Sequence, residues 1–112
     1  MNFHENTLWQ HSYVALMDIY EALDDVSDDV KDKEEETIEG VLTDAQAVAA
    51  KIADGLSRLD QRYGKGLLYD SIGLVAVVRT QLAISWGRGL LDDEPFKAID
   101  GKYQELATAL QK

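Results

Sequence analysis

Residues 71–87, SIGLVAVVRTQLAISWG, decide the fold. With Val78 set at zero and about 100° added per residue, Ser71, Leu74, Val75, Leu82, Ser85 and Trp86 fall on its side of a helix. That stripe predicts burial against neighbouring helices. Gly73, Val77, Thr80, Ile84 and Gly87 fall opposite, and Ile72, Ala76 and Ala83 lie between the two sets. Only Asp70, Gln81 and Arg88 form a wet flank. A helix of a four-helix bundle hides about half its circumference, and this one is apolar or small around most of it. An isolated chain is therefore expected to carry an apolar patch of the size that marks an interface. Gly73, Val77, Thr80, Ile84 and Gly87 are the expected oligomer contacts.

Three further helices are readable by spacings of three and four. The first is expected at about 5–23, capped by Asn6 or Thr7, with Trp9, Tyr13, Leu16, Tyr20 and Leu23 inside. The segment from Asp24 to about Glu34 is acidic and poor in large apolar groups, so it reads as a turn. The second helix is expected at 35–59, buried through Ile38, Leu42, Ala45, Ala49, Ile52, Leu56 and Leu59, with alanines keeping it thin. Gly64 and Gly66 read as a break before the third helix at 65–87, which Gly87 and Gly89 end. Asp92 or Asp93 caps a fourth at 94–111, with Pro95 in its first turn and Phe96, Ile99, Tyr103, Leu106 and Leu110 inside. Nothing alternates like a strand. The expectation is an all-α, antiparallel up-down-up-down four-helix bundle in one 112-residue domain.

Composition excludes several chemistries. The absence of cysteine removes disulfides, thiolate metal sites and thiol nucleophiles. Net charge is −10, and residues 1–56 hold 14 acidic against 3 basic side chains, whereas 57–112 hold 7 against 8. That field opposes nucleic acid and anionic membranes, and it suits solubility or a basic protein partner. The N-terminus lacks the basic-then-apolar pattern of a secretory signal. The 71–87 stretch, with Arg79 in its middle, is too short to span a bilayer. A cytoplasmic location is expected.

No set of residues reads as a catalytic, cofactor or metal site, so an enzyme is not expected. His4 and His11 lack the Glu-x-x-His step of bundle metal sites. The aspartates from Asp24 to Asp32 lack the glycine and closing glutamate of a calcium loop. Asp54 and Arg58, four apart with the acid first, suit a helix-surface or inter-subunit pair. Gly55 inside a helix costs about 1 kcal/mol relative to alanine, which points to close packing or a kink. Arg58, Arg62, Lys65 and Arg88 are the one cluster of positive charge. It either balances the acidic half across subunits or faces an anionic partner, although no exposed aromatics are interleaved for nucleic acid.

The run VAAKIADGLSR, Val48 to Arg58, resembles a bacterial family of small helical proteins, the 23S ribosomal RNA intervening-sequence or four helix bundle proteins. Their Asn-Ile-Ala-Glu-Gly and following Arg correspond to Lys51, Ile52, Ala53, Asp54, Gly55 and Arg58. The segment from Val77 to Phe96 looks like their third helix, its Gly-Leu turn and the start of the fourth. Gly40-Val41-Leu42-Thr43 replaces their usual Gln and paired Arg, and Ile72-Gly73 and Ala76 replace their Gly-Ser and Glu. The resemblance implies an up-down bundle that assembles as a ring, typically of five copies. One branch, the accessory variability determinants of diversity-generating retroelements, is basic and binds a reverse transcriptase. The functional expectation is thus a non-enzymatic homo-oligomeric scaffold or adaptor, with an accessory role to a nucleic-acid enzyme as the alternative.

Overall fold

The computed structural model describes residues 2–112. After a 3-10 turn at Phe3–Glu5 come five helices: α1 (Thr7–Asp24), α2 (Asp28–Lys33), α3 (Glu35–Ser57), α4 (Gln61–Gly87) and α5 (Asp93–Leu110). The described residues contain no strand. Asn6 caps α1, its side chain accepting from the Leu8 N–H at 2.8 Å.

Each long helix packs against two others: α3 on α4, α4 on α5, α5 on α1 and α1 on α3. Contacts mark the two ends of the molecule. Arg88 after α4 meets Glu34 before α3, while Gly55 near the end of α3 meets Gly64 near the start of α4. Leu8 lines one cavity with Gly55, Lys65 and Ala109, and Val26 lines another with Leu90 and Ala98. The body measures 47 × 21 × 21 Å.

Its centre holds Ile19, Val41, Val48, Ile52, Val75, Val78, Leu82, Tyr103 and Leu106, all essentially without solvent contact. Full burial of one such aliphatic side chain contributes roughly 1.5–3 kcal/mol. The α5 stripe is Ile99, Tyr103, Leu106 and Leu110, with Phe96 half-buried.

Several expectations are corrected. In α1 the buried line is Ser12, Ala15, Leu16, Ile19 and Leu23; Tyr13 and Tyr20 are exposed and Trp9 is half-buried. The phenol of Tyr20 accepts at 2.7 Å from the Gln46 amide, so its polar tip stays at the surface. In α3 the buried line adds Val41 and Val48. Leu59 lies beyond the helix, fully exposed, because Arg58 turns extended (φ −75°, ψ 135°). The acidic segment is not all turn: Ser27 caps α2, whose first turn carries Asp28 and Asp29 and whose last carries Lys31 and Lys33, as the helix dipole favours. Val26 and Val30 tie it to the core.

Gly64 and Gly66 do not break a helix. α4 starts at Gln61, where Asp60 accepts from the N–H groups of Arg62 (3.0 Å) and Tyr63 (3.3 Å). At 27 residues α4 is long and apolar enough, by length and composition, to cross a membrane. Its Val75, Val78 and Leu82 line is packed inside the body. Its end is set by Gly89, at φ +82°, where a side chain would be strained. The Leu90 N–H donates to the Ser85 carbonyl at 2.8 Å, closing the turn.

Candidate assembly surface

α4 places one face in the core and leaves the other uncovered. Gly73, Val77, Thr80, Ile84 and Gly87 are all exposed, and Val77 and Ile84 keep 43% and 47% of their surface in water. Ala76 and Ala83 are exposed beside them, while Ile72 is half-buried. The Thr80 hydroxyl donates to the Ala76 carbonyl at 2.9 Å, so it needs no outside partner. Towards α5 the face is bounded by Arg79, whose guanidinium donates twice to Asp100 (2.8 and 3.0 Å). That bond holds the Arg79 guanidinium more firmly protonated than usual. Towards α3 it is bounded by Gln81, whose Nε2 would lie 3.3 Å from a Cβ built on Gly40.

Sequence spacing did not single out Tyr69, which is 46% exposed on this face. Its signal was the seven-residue step to Ala76 and Ala83. Trp86, expected inside, is 46% exposed; it stacks on Phe96 with centroids 5.0 Å apart and donates to Asp93 at 2.8 Å.

The expected positive cluster is divided. Arg58, Arg62 and Lys65 sit at the start of α4. Arg88 follows its last turn, roughly 34 Å away at 1.5 Å per residue. Arg88 donates to Glu34 at 2.6 Å, which pulls the Glu34 carboxyl below its ordinary range. Arg58 is bidentate to Asp54 at 2.7 and 3.2 Å and lies over the Tyr63 ring; the same hydrogen bonds lower the Asp54 pKa. Lys65 stands 5.8 Å above the Tyr69 ring centroid. Among the described residues, neither Arg62 nor Lys65 meets a carboxylate.

The motif residues divide by role. Ile52 and Gly55 are buried, whereas Lys51, Ala53 and Asp54 are half-exposed. A Cβ on Gly55 would lie 2.8 Å from the Gly64 carbonyl oxygen, and one on Gly64 would lie 2.4 Å from that of Gly55. These glycines are where α3 and α4 touch backbone to backbone. Both histidines are exposed; His4 stacks on Phe3 and lies 2.6 Å from the Asn2 side chain.

A cavity of about 460 Å³ opens where α1, α2 and the α4–α5 turn meet, rimmed by Asp18, Asp25 and Asp92 over Val30, Leu90 and Ile99. Asp18 is already paired with Lys102. Nothing in it resembles a reacting set. Fold and surface thus define an all-helical protein with an uncovered apolar face on α4 and a further exposed stripe, Tyr13, Val14, Met17 and Tyr20, on α1. Comparison with known protein families, curated proteins and solved structures finds no match.

Proposed function

We propose that this chain is an antiparallel up-down-up-down four-helix bundle, with α2 riding on one connection, that works as a non-enzymatic homo-oligomeric scaffold or adaptor in the cytoplasm. The observation that carries the reading is the exposure of Val77 and Ile84, with Ala76, Ala83 and three helical glycines, on one charge-poor face. A patch of that kind is costly to leave in water and is usually covered by protein. A second copy is the favoured cover. A chain of net charge −10 meets its own kind most readily through the face that carries least of that charge.

Light scattering of the purified chain tests this. A species heavier than the 12.5 kDa chain at micromolar concentration is expected, and a 12.5 kDa species there overturns the reading. Val77→Glu or Ile84→Glu should dissociate the assembly with helicity intact. A loss of helicity instead would place these residues in the intramolecular core. The alternative, an accessory to a nucleic-acid enzyme, rests on Arg62 and Lys65 once Arg58 and Arg88 are paired, together with the exposed rings of Tyr63 and Tyr69, which do interleave with these cations against the expectation from sequence. RNA binding that strengthens at low salt would restore it.

A further inference from the structure

We infer that the uncovered face of α4 pairs with the same face of α4 in a second copy, antiparallel, about a two-fold axis passing beside Ala76 and Val77. This deepens the assembly reading and rests on it.

The spacing on the face is that of a helix pair. Val77 and Ile84 are seven apart, as are Tyr69, Ala76 and Ala83, and as are Gly66, Gly73, Thr80 and Gly87. Read along the helix, these lines alternate in steps of three and four. A seven-residue repeat keeps one seam against a partner helix crossing at about 20°. All nine residues are exposed in the single chain. The seam runs roughly 32 Å from Gly66 to Gly87 at 1.5 Å per residue. Asp70 stands at its edge. Small residues along one line let the axes approach towards the lower end of the usual 8–10 Å.

Charge selects the direction. The seam begins beside Arg62 and Lys65, two cations that meet no carboxylate among the described residues. It ends beside Ile84, which shares a concavity with Asp32, Lys33, Glu34, Glu35, Glu36 and Arg88. Over that whole end of the molecule, residues 24–39 and 88–94 hold twelve carboxylates against three cations. At the other end, 51–65 and 105–112 hold three against five. A parallel pair would set the acidic ends side by side. An antiparallel pair separates them and sets the end of each copy that carries Arg62 and Lys65 beside the acidic end of the other, where Glu35 and Glu36 lie. In that register Gly66 opposes Gly87, Tyr69 opposes Ile84, and Gly73 opposes Thr80. A two-fold contact uses this face on both copies, whereas a ring joined head to tail would set it against a different one, such as the exposed Tyr13, Val14, Met17 and Tyr20 of α1.

The chain has no cysteine, so single cysteines report the geometry directly. Under mild oxidation Ala76→Cys should form a symmetric disulfide-linked dimer and Gly87→Cys should not. Light scattering of the unmodified chain should give twice 12.5 kDa or an even multiple of it. A single-chain mass overturns this pairing and the assembly reading together. A heavier species whose Ala76→Cys variant stays unlinked, or links no better than Gly87→Cys, overturns the pairing alone. Arg62→Glu with Lys65→Glu should raise the dissociation constant by at least about tenfold. Adding Glu35→Lys and Glu36→Lys to the same chain should return it towards the starting value. Weakening without that rescue would also overturn the pairing.

Discussion

At the scale of single residues, the meeting of Gly55 and Gly64 shows how two costly choices in a helix become a requirement. Each glycine sacrifices about 1 kcal/mol of helix propensity relative to alanine. A methyl on either would run into the partner's carbonyl oxygen, at 2.8 or 2.4 Å, and backbone cannot rotate away as a side chain would. Gly64→Ala is therefore expected to destabilise the fold by about 1–3 kcal/mol in denaturant unfolding, the cost of overpacking. Gly101→Ala, where nothing lies within 4 Å, should instead stabilise by up to about 1 kcal/mol. Half of this was legible: Gly55 in mid-helix signalled close approach, but Gly64 and Gly66 together read as a break. Which glycine answers which is a property of the crossing and not of either helix. Tyr103 supplies a second residue-scale test. Its hydroxyl is buried with no partner, and burial, with Asp18 nearby, raises its pKa from the ordinary 10.0. Because the raised value belongs to the folded state, the neutral phenol's contribution is complete below pH 10. It drains away above pH 10, as the unfolded chain ionises first. Tyr103→Phe should leave stability at pH 7 unchanged or raise it by about 1 kcal/mol, and should flatten the alkaline loss. A drop of several kcal/mol at pH 7 would mean that the hydroxyl has a bonded partner.

At the scale of elements, the caps differ in ways that predict unequal costs. Asp60 accepts from two N–H groups at the start of α4, while the Asp92 side chain makes no cap bond to α5. Asp60→Ala should cost about 1 kcal/mol, and Asp92→Ala should lose little beyond its charge near the helix dipole. Equal losses in thermal unfolding would contradict the assignment. The helices most legible in sequence were those whose apolar spacing had a single solution. Ile99, Tyr103, Leu106 and Leu110 admit one stripe, and it is the buried one. In α1 two stripes compete, and hydrophobic size favours the wrong one. Tyr13 and Tyr20 are large, yet a phenol satisfied at the surface lets small Ser12 and Ala15 take the inside positions. α2 was hidden for the opposite reason. Six residues carry too little periodicity to declare a helix, and only docking of Val26 and Val30 onto the core fixes it. The α4 face was legible as a surplus of apolar circumference. Its acid-rimmed end was not, since the approach of Glu34 and Arg88 depends on the fold.

At the scale of the whole molecule, shape and charge together set how assembly responds to salt. Two bodies 21 Å thick, each carrying −10 and lying side by side, repel as point charges by about 20 kcal/mol in unscreened water. Screening cuts that to about 10 kcal/mol at 0.01 M salt, where the Debye length is about 30 Å. At 0.15 M, with a Debye length near 8 Å, it falls to about 1.4 kcal/mol. These are upper bounds, since separating the acidic ends moves the charge centres apart. The opposing effect is the attraction of Arg62 and Lys65 for carboxylates across the seam, which salt also weakens, but exposed pairs contribute only about 0.2–1 kcal/mol each. Repulsion is the larger quantity and the one that salt removes faster. Association should therefore tighten as salt rises from 0.01 to 0.15 M, read as a falling dissociation constant in sedimentation or light scattering. Acidification from pH 7 towards the isoelectric point near 4.4 should act in the same direction while the fold persists. An assembly that instead loosened with salt over this range would be held by charge rather than by the apolar seam. In that case Val77→Glu would matter less than Arg62→Glu.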